Sequence, residues 1–195
     1  MRYGQFIDAE GSLSINLRFL SKALSDDDTR YFLKYIRIEP SDKGEGLLAV
    51  ATDGRRLHLV DPICERTIAE ELVGLAPGFW QVLKNSGQKK TWIARLDDSE
   101  TSKNTFPNWR KIMPSVKPEY ETTFDGFSST SREQVNHTGL VTLLREFPEA
   151  TAIDLGFLES LGTAFTWKVD WYGPDKAMKF TNGNRIALIM PMNFF

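Results

Sequence analysis

The sequence predicts an α+β fold made of a repeated strand-helix-strand-strand-strand unit, with antiparallel sheets and short helices on one face. Three observations carry that reading. Most of the chain alternates apolar and polar residues with period two, and helical spacing is confined to a few short stretches. Turn chemistry separates the alternating runs: Lys43-Gly44-Glu45-Gly46, Asp53-Gly54 and Asn182-Gly183, the last two favouring two-residue hairpins. Finally, two segments recur in the same order. Asn16-Leu17-Arg18-Phe19-Leu20 is echoed by Asp154-Leu155-Gly156-Phe157-Leu158, and Thr52-Asp53-Gly54-Arg55-Arg56-Leu57 by Thr181-Asn182-Gly183-Asn184-Arg185-Ile186. Two echoes in register point to a repeated supersecondary unit.

Asn16 is placed to cap a helix over LRFLSKAL, whose Leu17, Leu20 and Leu24 share one face. RYFLKYIRIEP, GLLAVAT and RRLHLVD then read as strands. Pro77 opens a second helix, PGFWQVLKNSG, which Gly87 closes, and KKTWIARLD follows as a strand. With ELVGL before them, these segments supply the opening strand, helix and next strand of a further unit. Residues 97–150 are mostly polar, with short strands expected near Tyr120–Phe127 and Val141–Phe147. Asp154 caps a third helix, LGFLESLG, with Leu155, Leu158 and Leu161 on one face. AFTWKVDWY, KAMKFT and NRIALIMPM complete the strands.

The composition narrows the function more by exclusion. Of 195 residues, 41% are hydrophobic and 26% charged, and the net charge of −2 excludes a protein coated in basic residues. The single cysteine, Cys64, cannot form an intramolecular disulfide, which fits a cytoplasmic protein. No apolar run approaches the length of a membrane span, and no signal peptide is visible. The histidines, His58 and His137, fall in no metal or triad spacing, and His58 reads as a partly exposed strand residue. Asp26-Asp27-Asp28 lacks the glycine and distal glutamate of a calcium loop and reads as a solvated turn. No phosphate loop or nucleophile elbow appears. The expectation is therefore a non-enzymatic protein with no catalytic residue, metal or cofactor.

Basic residues on the helices point elsewhere. Arg18 and Lys22 lie four apart, on the face of the first helix away from its leucines, and Lys84, Lys89 and Lys90 cluster at the end of the second. Several such helices on one surface would make a positive track suited to sequence-independent phosphate contacts. An ordinary solvated helix face carries the same charges. The third helix offers Glu159 and no cation.

Taken together, these segments resemble the bacterial sliding clamp, the beta subunit of DNA polymerase III. LRFLSKAL, TRYFLKYIRIEP and GLLAVATDGRRLHLV look like the opening half of that family's middle domain, where an ATDGHRL-type hairpin follows an RYYLNG-type strand. FPNWRKIMP, residues 106–114, is similar to the FPDYRRVLP-type link to the C-terminal domain, and IALIMPMNFF to the YVVMPMRL terminus. The resemblance implies a DNA-clamp-like fold, with residues 1–114 like the middle domain and 115–195 like a shortened C-terminal domain. It implies a ring around duplex DNA that tethers a polymerase. It also implies a pocket between those domains for linear peptides from a DNA polymerase, the clamp loader or repair proteins. The matching wall positions are Leu33, Thr52, Gly54, Arg55, Arg56 and Leu57, then Pro107, Lys111 and Ile112 in the link, and Leu188, Met190, Pro191 and Met192 at the terminus. Leucine, isoleucine and methionine suit an adaptable apolar cup, and Arg55 and Arg56 a donor rim.

Departures from the family shape the expected assembly. Arg55 stands where histidine is usual, and Asn193-Phe194-Phe195 replaces the basic-then-leucine ending. About three units are legible, four if 115–150 holds one, against twelve in a ring of this kind, so closure needs four or three copies. The expected protein is thus a processivity factor working as a homo-oligomer. The alternative is an adaptor or decoy that binds clamp partners without encircling DNA.

Overall fold

The structure, a computed structural model, describes residues 2–7, 12–44, 46–63, 78–86, 91–97, 106–125, 152–162 and 165–192. The chain divides into two compact units, Met1–Pro107 and Asn108–Phe195. The division falls inside the FPNWRKIMP segment.

The first unit contains β1 (Arg2–Ile7), α1 (Ser12–Ser21), a 3₁₀ segment (Asp28–Lys34), β2 (Ile36–Pro40), β3 (Leu47–Thr52), β4 (Arg56–Val60), β5 (Gly78–Ser86) and β6 (Thr91–Asp97). Its strand order is β1-β6-β5-β2-β3-β4, with every pair antiparallel. Antiparallel pairing places Ala49 opposite Val60 and Ala51 opposite His58, so all four share one sheet face. On that face the Phe19 ring of α1 stacks on the His58 ring, with centroids 4.1 Å apart and planes 6° from parallel. The two alanines leave room for the helix, whose Leu17, Phe19 and Leu20 are buried, as is Ala23 just beyond its end. Leu48, Val50, Thr52, Leu57 and Leu59 alternate onto the opposite face and are buried as well.

Four expectations are corrected here. Asn16 does not cap a helix: α1 already runs from Ser12, and Asn16 is buried within it, donating from Nδ2 to the Ile63 carbonyl at 3.0 Å. RYFLK is not strand but part of the 3₁₀ segment, which Asp27 caps by accepting from the Thr29 amide at 2.8 Å and hydroxyl at 2.7 Å. PGFWQVLKNSG is not a helix but strand β5, hydrogen-bonded to β2 and β6. Its register skips Leu83 between Val82 and Lys84. The i, i+4 spacing of Phe79 and Leu83 fits a strand of period two as well as a helix, and pairing with β2 and β6 decides for the strand. His58 is fully buried rather than partly exposed, because α1 covers the face on which it lies.

The second unit contains β7 (Tyr120–Asp125), α2 (Leu155–Glu159), β8 (Thr166–Trp171), β9 (Met178–Asn182) and β10 (Arg185–Ile189), in the order β10-β9-β8-β7. Among the described residues both units thus show the expected strand-helix-strand-strand-strand order, β1-α1-β2-β3-β4 and β7-α2-β8-β9-β10. Asp154 caps α2 as expected, accepting from the Gly156 amide at 2.8 Å. Phe124, Trp167, Val169, Phe180 and Ala187 share one face by register, and all are buried. The other face carries Lys168, bridging Glu121 at 3.0 Å and Asp170 at 3.1 Å. The strand near Tyr120 is present as β7, whereas Cys64, His137 and the segment near Val141–Phe147 lie outside the described residues.

The buried His58 makes stability acid-sensitive. Burial holds its pKa down at about 4, only partly countered by the Phe19 carbonyl, which accepts from Nδ1 at 2.6 Å. An unfolded chain protonates this ring near its ordinary value of 6.5. The contribution is therefore complete above pH 6.5 and is lost as pH falls toward 4, amounting to roughly 3 kcal/mol at most. Urea midpoints between pH 7.5 and 4.5 should fall more steeply for the wild type than for His58→Gln.

Candidate functional site

The β3–β4 connection is the best-defined polar construction in the first unit. Thr52 pairs with Leu57, which leaves four residues in the turn rather than the two that Asp-Gly favours. The Asp53 carboxylate explains the difference. Oδ1 accepts from the amides of Arg55 and Arg56, each at 2.9 Å, and Oδ2 pairs with Arg56 Nε at 2.9 Å. Thr52 Oγ1 donates to the Arg56 carbonyl at 2.7 Å and accepts from the Gly54 amide at 3.1 Å. Gly54 has a φ of +90°, in the left-handed region that glycine tolerates. A Cβ built there would lie 3.2 Å from Arg30 Nη1 and 4.0 Å from Leu33 Cδ1. The 3₁₀ segment therefore packs its Arg30 and Leu33 against the bare face of the turn.

The expected peptide-wall residues separate into supports and exposed groups. Leu33, Thr52, Leu57 and Leu188 are buried and hold the backbone in place. Arg56 is half-buried and ion-paired, so it acts first as a staple of the turn. Arg55 is exposed beside Gly54. In the link, Pro107 is half-buried, Lys111 is exposed and Ile112 is 50% exposed. Neighbouring Trp109 is buried, with the Arg110 guanidinium 4.2 Å from its ring centroid. In the second unit Met190 and Met192 are each 44% exposed, on either side of half-buried Pro191. Met192 donates its amide to the Ala152 carbonyl at 2.9 Å, which fixes the terminal segment after β10.

Two residues escaped the sequence reading. Leu155, assigned there to a buried face, is 47% exposed while Leu158 and Leu161 are buried. It opens a helix of only five residues, too short to turn three leucines inward. Arg30 gave no sequence signal, since its proximity to Gly54 depends on the 3₁₀ turn that replaced a strand.

The expected DNA-contact residues are not gathered on helices. Arg18 is exposed on α1, and Lys22 is exposed one residue beyond its end. Lys84 lies on strand β5, and Lys89 and Lys90 lie outside the described residues. The segment expected as a second basic helix is strand β5. Among the described residues no helix is long and apolar enough to cross a membrane, and no three His, Cys, Asp or Glu side chains cluster as metal ligands.

No protein-family model matches the sequence, and no curated protein matches it. Solved structures do. The DNA polymerase III beta subunit of Borrelia burgdorferi, in complex with a natural product, matches 100% of this chain with a TM-score of 0.60 at 13% identity. This is the sliding-clamp fold. The Pseudomonas aeruginosa sliding clamp matches 98% of the chain with a TM-score of 0.57 at 16% identity. The Helicobacter pylori beta clamp bound to a DNA ligase peptide matches 98% with a TM-score of 0.53 at 15% identity. The chain spans 64%, 67% and 66% of those three proteins, respectively.

The geometry of the turn sets one expectation for stability. Asp53→Asn removes the ion pair and weakens the acceptor of two amides, and should lower stability by about 1–2 kcal/mol in urea denaturation. Arg55→Gln, at an exposed position, should stay within about 0.5 kcal/mol of wild type.

Proposed function

We propose that this protein is a clamp-type, non-enzymatic accessory factor of DNA replication or repair that docks partner proteins through a short linear peptide. The observation that carries the reading is the match of the sliding-clamp fold to the whole chain. Residues 1–114 take the role of a clamp middle domain, and residues 115–195 that of a C-terminal domain. The exposed Met190 and Met192 supply flexible apolar surface, a side-chain chemistry that adapts to varied partners. Ile112, in the same unit as the methionines, contributes as well, with buried Trp109 near it. So does the rim of the β3–β4 turn, in the first unit, with buried Leu33 and Leu57 near it. The partner classes that fit are a DNA polymerase, a clamp loader and a repair protein, as cytoplasmic proteins. The clamps of H. pylori and Bartonella birtlesii, bound to a DNA ligase peptide and to griselimycin, show that this fold accommodates such ligands elsewhere.

Processivity on duplex DNA is the fuller form of the proposal, with Arg18 and Lys22 contacting phosphates without reading sequence. The placement of Lys84 on a strand favours a second reading, an adaptor that binds clamp partners without encircling DNA. Light scattering separates them: a processivity ring requires an oligomer, and a strict monomer at high concentration leaves the adaptor. A topological clamp would also be retained on circular DNA and slide off linear DNA.

The peptide surface is tested by titrating a fluorescent copy of the DNA ligase peptide that the H. pylori clamp binds. The Met190→Ala, Met192→Ala double variant should bind it about 30-fold more weakly, corresponding to about 2 kcal/mol. Equal affinity would remove the two methionines from the site.

A further inference from the structure

We infer that Arg55, with Arg30 beside it, makes the β3–β4 turn a selector for partner peptides carrying an acidic residue. This rests on the peptide-binding proposal and names the chemistry of the peptide. The argument begins with Asp53, the carboxylate of the turn. It is fully engaged, by two backbone amides and by the Arg56 guanidinium. Its charge is thus matched by Arg56, and neither Arg55 nor Arg30 is neutralised by it.

Among the described residues no acidic side chain pairs with Arg55, which is exposed. Arg30 meets Asp27 only at 3.8 Å, with both side chains about half exposed. A pair of that kind is weak in water and gives way readily to a better-placed carboxylate. The other contact of Arg30 is a long one, from Nη1 to the Asp53 carbonyl at 3.4 Å. Gly54, the residue before Arg55, has no side chain, and a Cβ built there would lie 3.2 Å from Arg30 Nη1. A carboxylate approaching the turn therefore meets Arg30 against a bare glycine, with the exposed Arg55 the next residue along the chain. Charge-assisted hydrogen bonds to such groups exceed neutral ones in strength, and arginine binds carboxylates in bidentate fashion.

Two cations at one turn, on a chain of net charge −2, offer a single point of recognition rather than a track of regularly spaced phosphates. That favours an acidic peptide over nucleic acid as the occupant. The buried Leu33, 4.0 Å from the Gly54 Cβ position, keeps the site rigid.

The test selects binders from a phage-displayed library of random eight-residue peptides on the full-length protein. The strongest are then synthesised with each carboxylate and with its amide replacement. Wild type should prefer the carboxylate form about fivefold to tenfold at low salt, and the preference should shrink as salt screens the rim. Arg55→Gln should reduce it to under twofold, and Arg55→Gln with Arg30→Gln should abolish it, with thermal unfolding unchanged. Binders indifferent to the acid, or a preference that survives the double variant, overturn the inference and leave peptide docking intact. Loss of duplex DNA affinity in Arg55→Gln with peptide affinity unchanged would assign the turn to nucleic acid and overturn it too. Failure to select any binder overturns the peptide-docking proposal and this inference together.

Discussion

The first unit depends on one carboxylate. Asp53 draws two amides and the Arg56 side chain around itself, and this holds the β3–β4 connection at four residues. Connection length sets strand register, and register decides which residues of β4 lie under α1. With Thr52 opposite Leu57, His58 and Val60 join Ala49 and Ala51 on the helix face. A slip of one residue would move Leu57 and Leu59 beneath the helix and His58 to the other side. The Phe19–His58 stack and the hydrogen bond between them would both be lost. The same turn carries Gly54, against which Arg30 packs, and the exposed Arg55, so the turn that organises the core also presents the candidate site.

Much of the fold was legible in the sequence because its strands follow the two-residue period closely. β3, β4, β8, β9 and β10 fall where alternation placed them, and Asp154 caps α2 as its position before an apolar run suggests. The failures have a common cause, in that local patterns were decided by longer-range contacts. Asn16 has the side chain of a helix cap, yet its amide satisfies the Ile63 carbonyl, 47 residues away. Phe79, Trp80, Val82 and Leu83 carry helical spacing, yet pairing with β2 and β6 makes the segment a strand, with a register shift between Val82 and Lys84. His58 alternates like a surface residue, and nothing in RRLHLV reveals that a helix covers it.

The candidate site was legible to a different degree. Motif likeness pointed to Met190, Met192, Ile112 and Arg55, and these are exposed. The same likeness gave equal weight to Leu33, Thr52, Leu57 and Leu188, which the fold buries as supports. A motif records positions near a site without separating those that touch a ligand from those that hold the backbone. Arg30 and Leu155 show the converse, since their exposure or proximity follows from a 3₁₀ turn and a short helix that composition does not announce. The shared clamp fold, at 13–16% identity, shows how far the packing pattern outlasts the sequence that specifies it.

Hydrogen exchange of the full chain, with and without a bound clamp-partner peptide, tests the proposed docking role most directly. The account predicts slowed exchange at the amides of residues 52–57 in one unit and at 188–190 and 192 in the other, with β7 and β8 unchanged. Binding that protects β7 and β8 while leaving the turn and the methionine segment unaffected would contradict it.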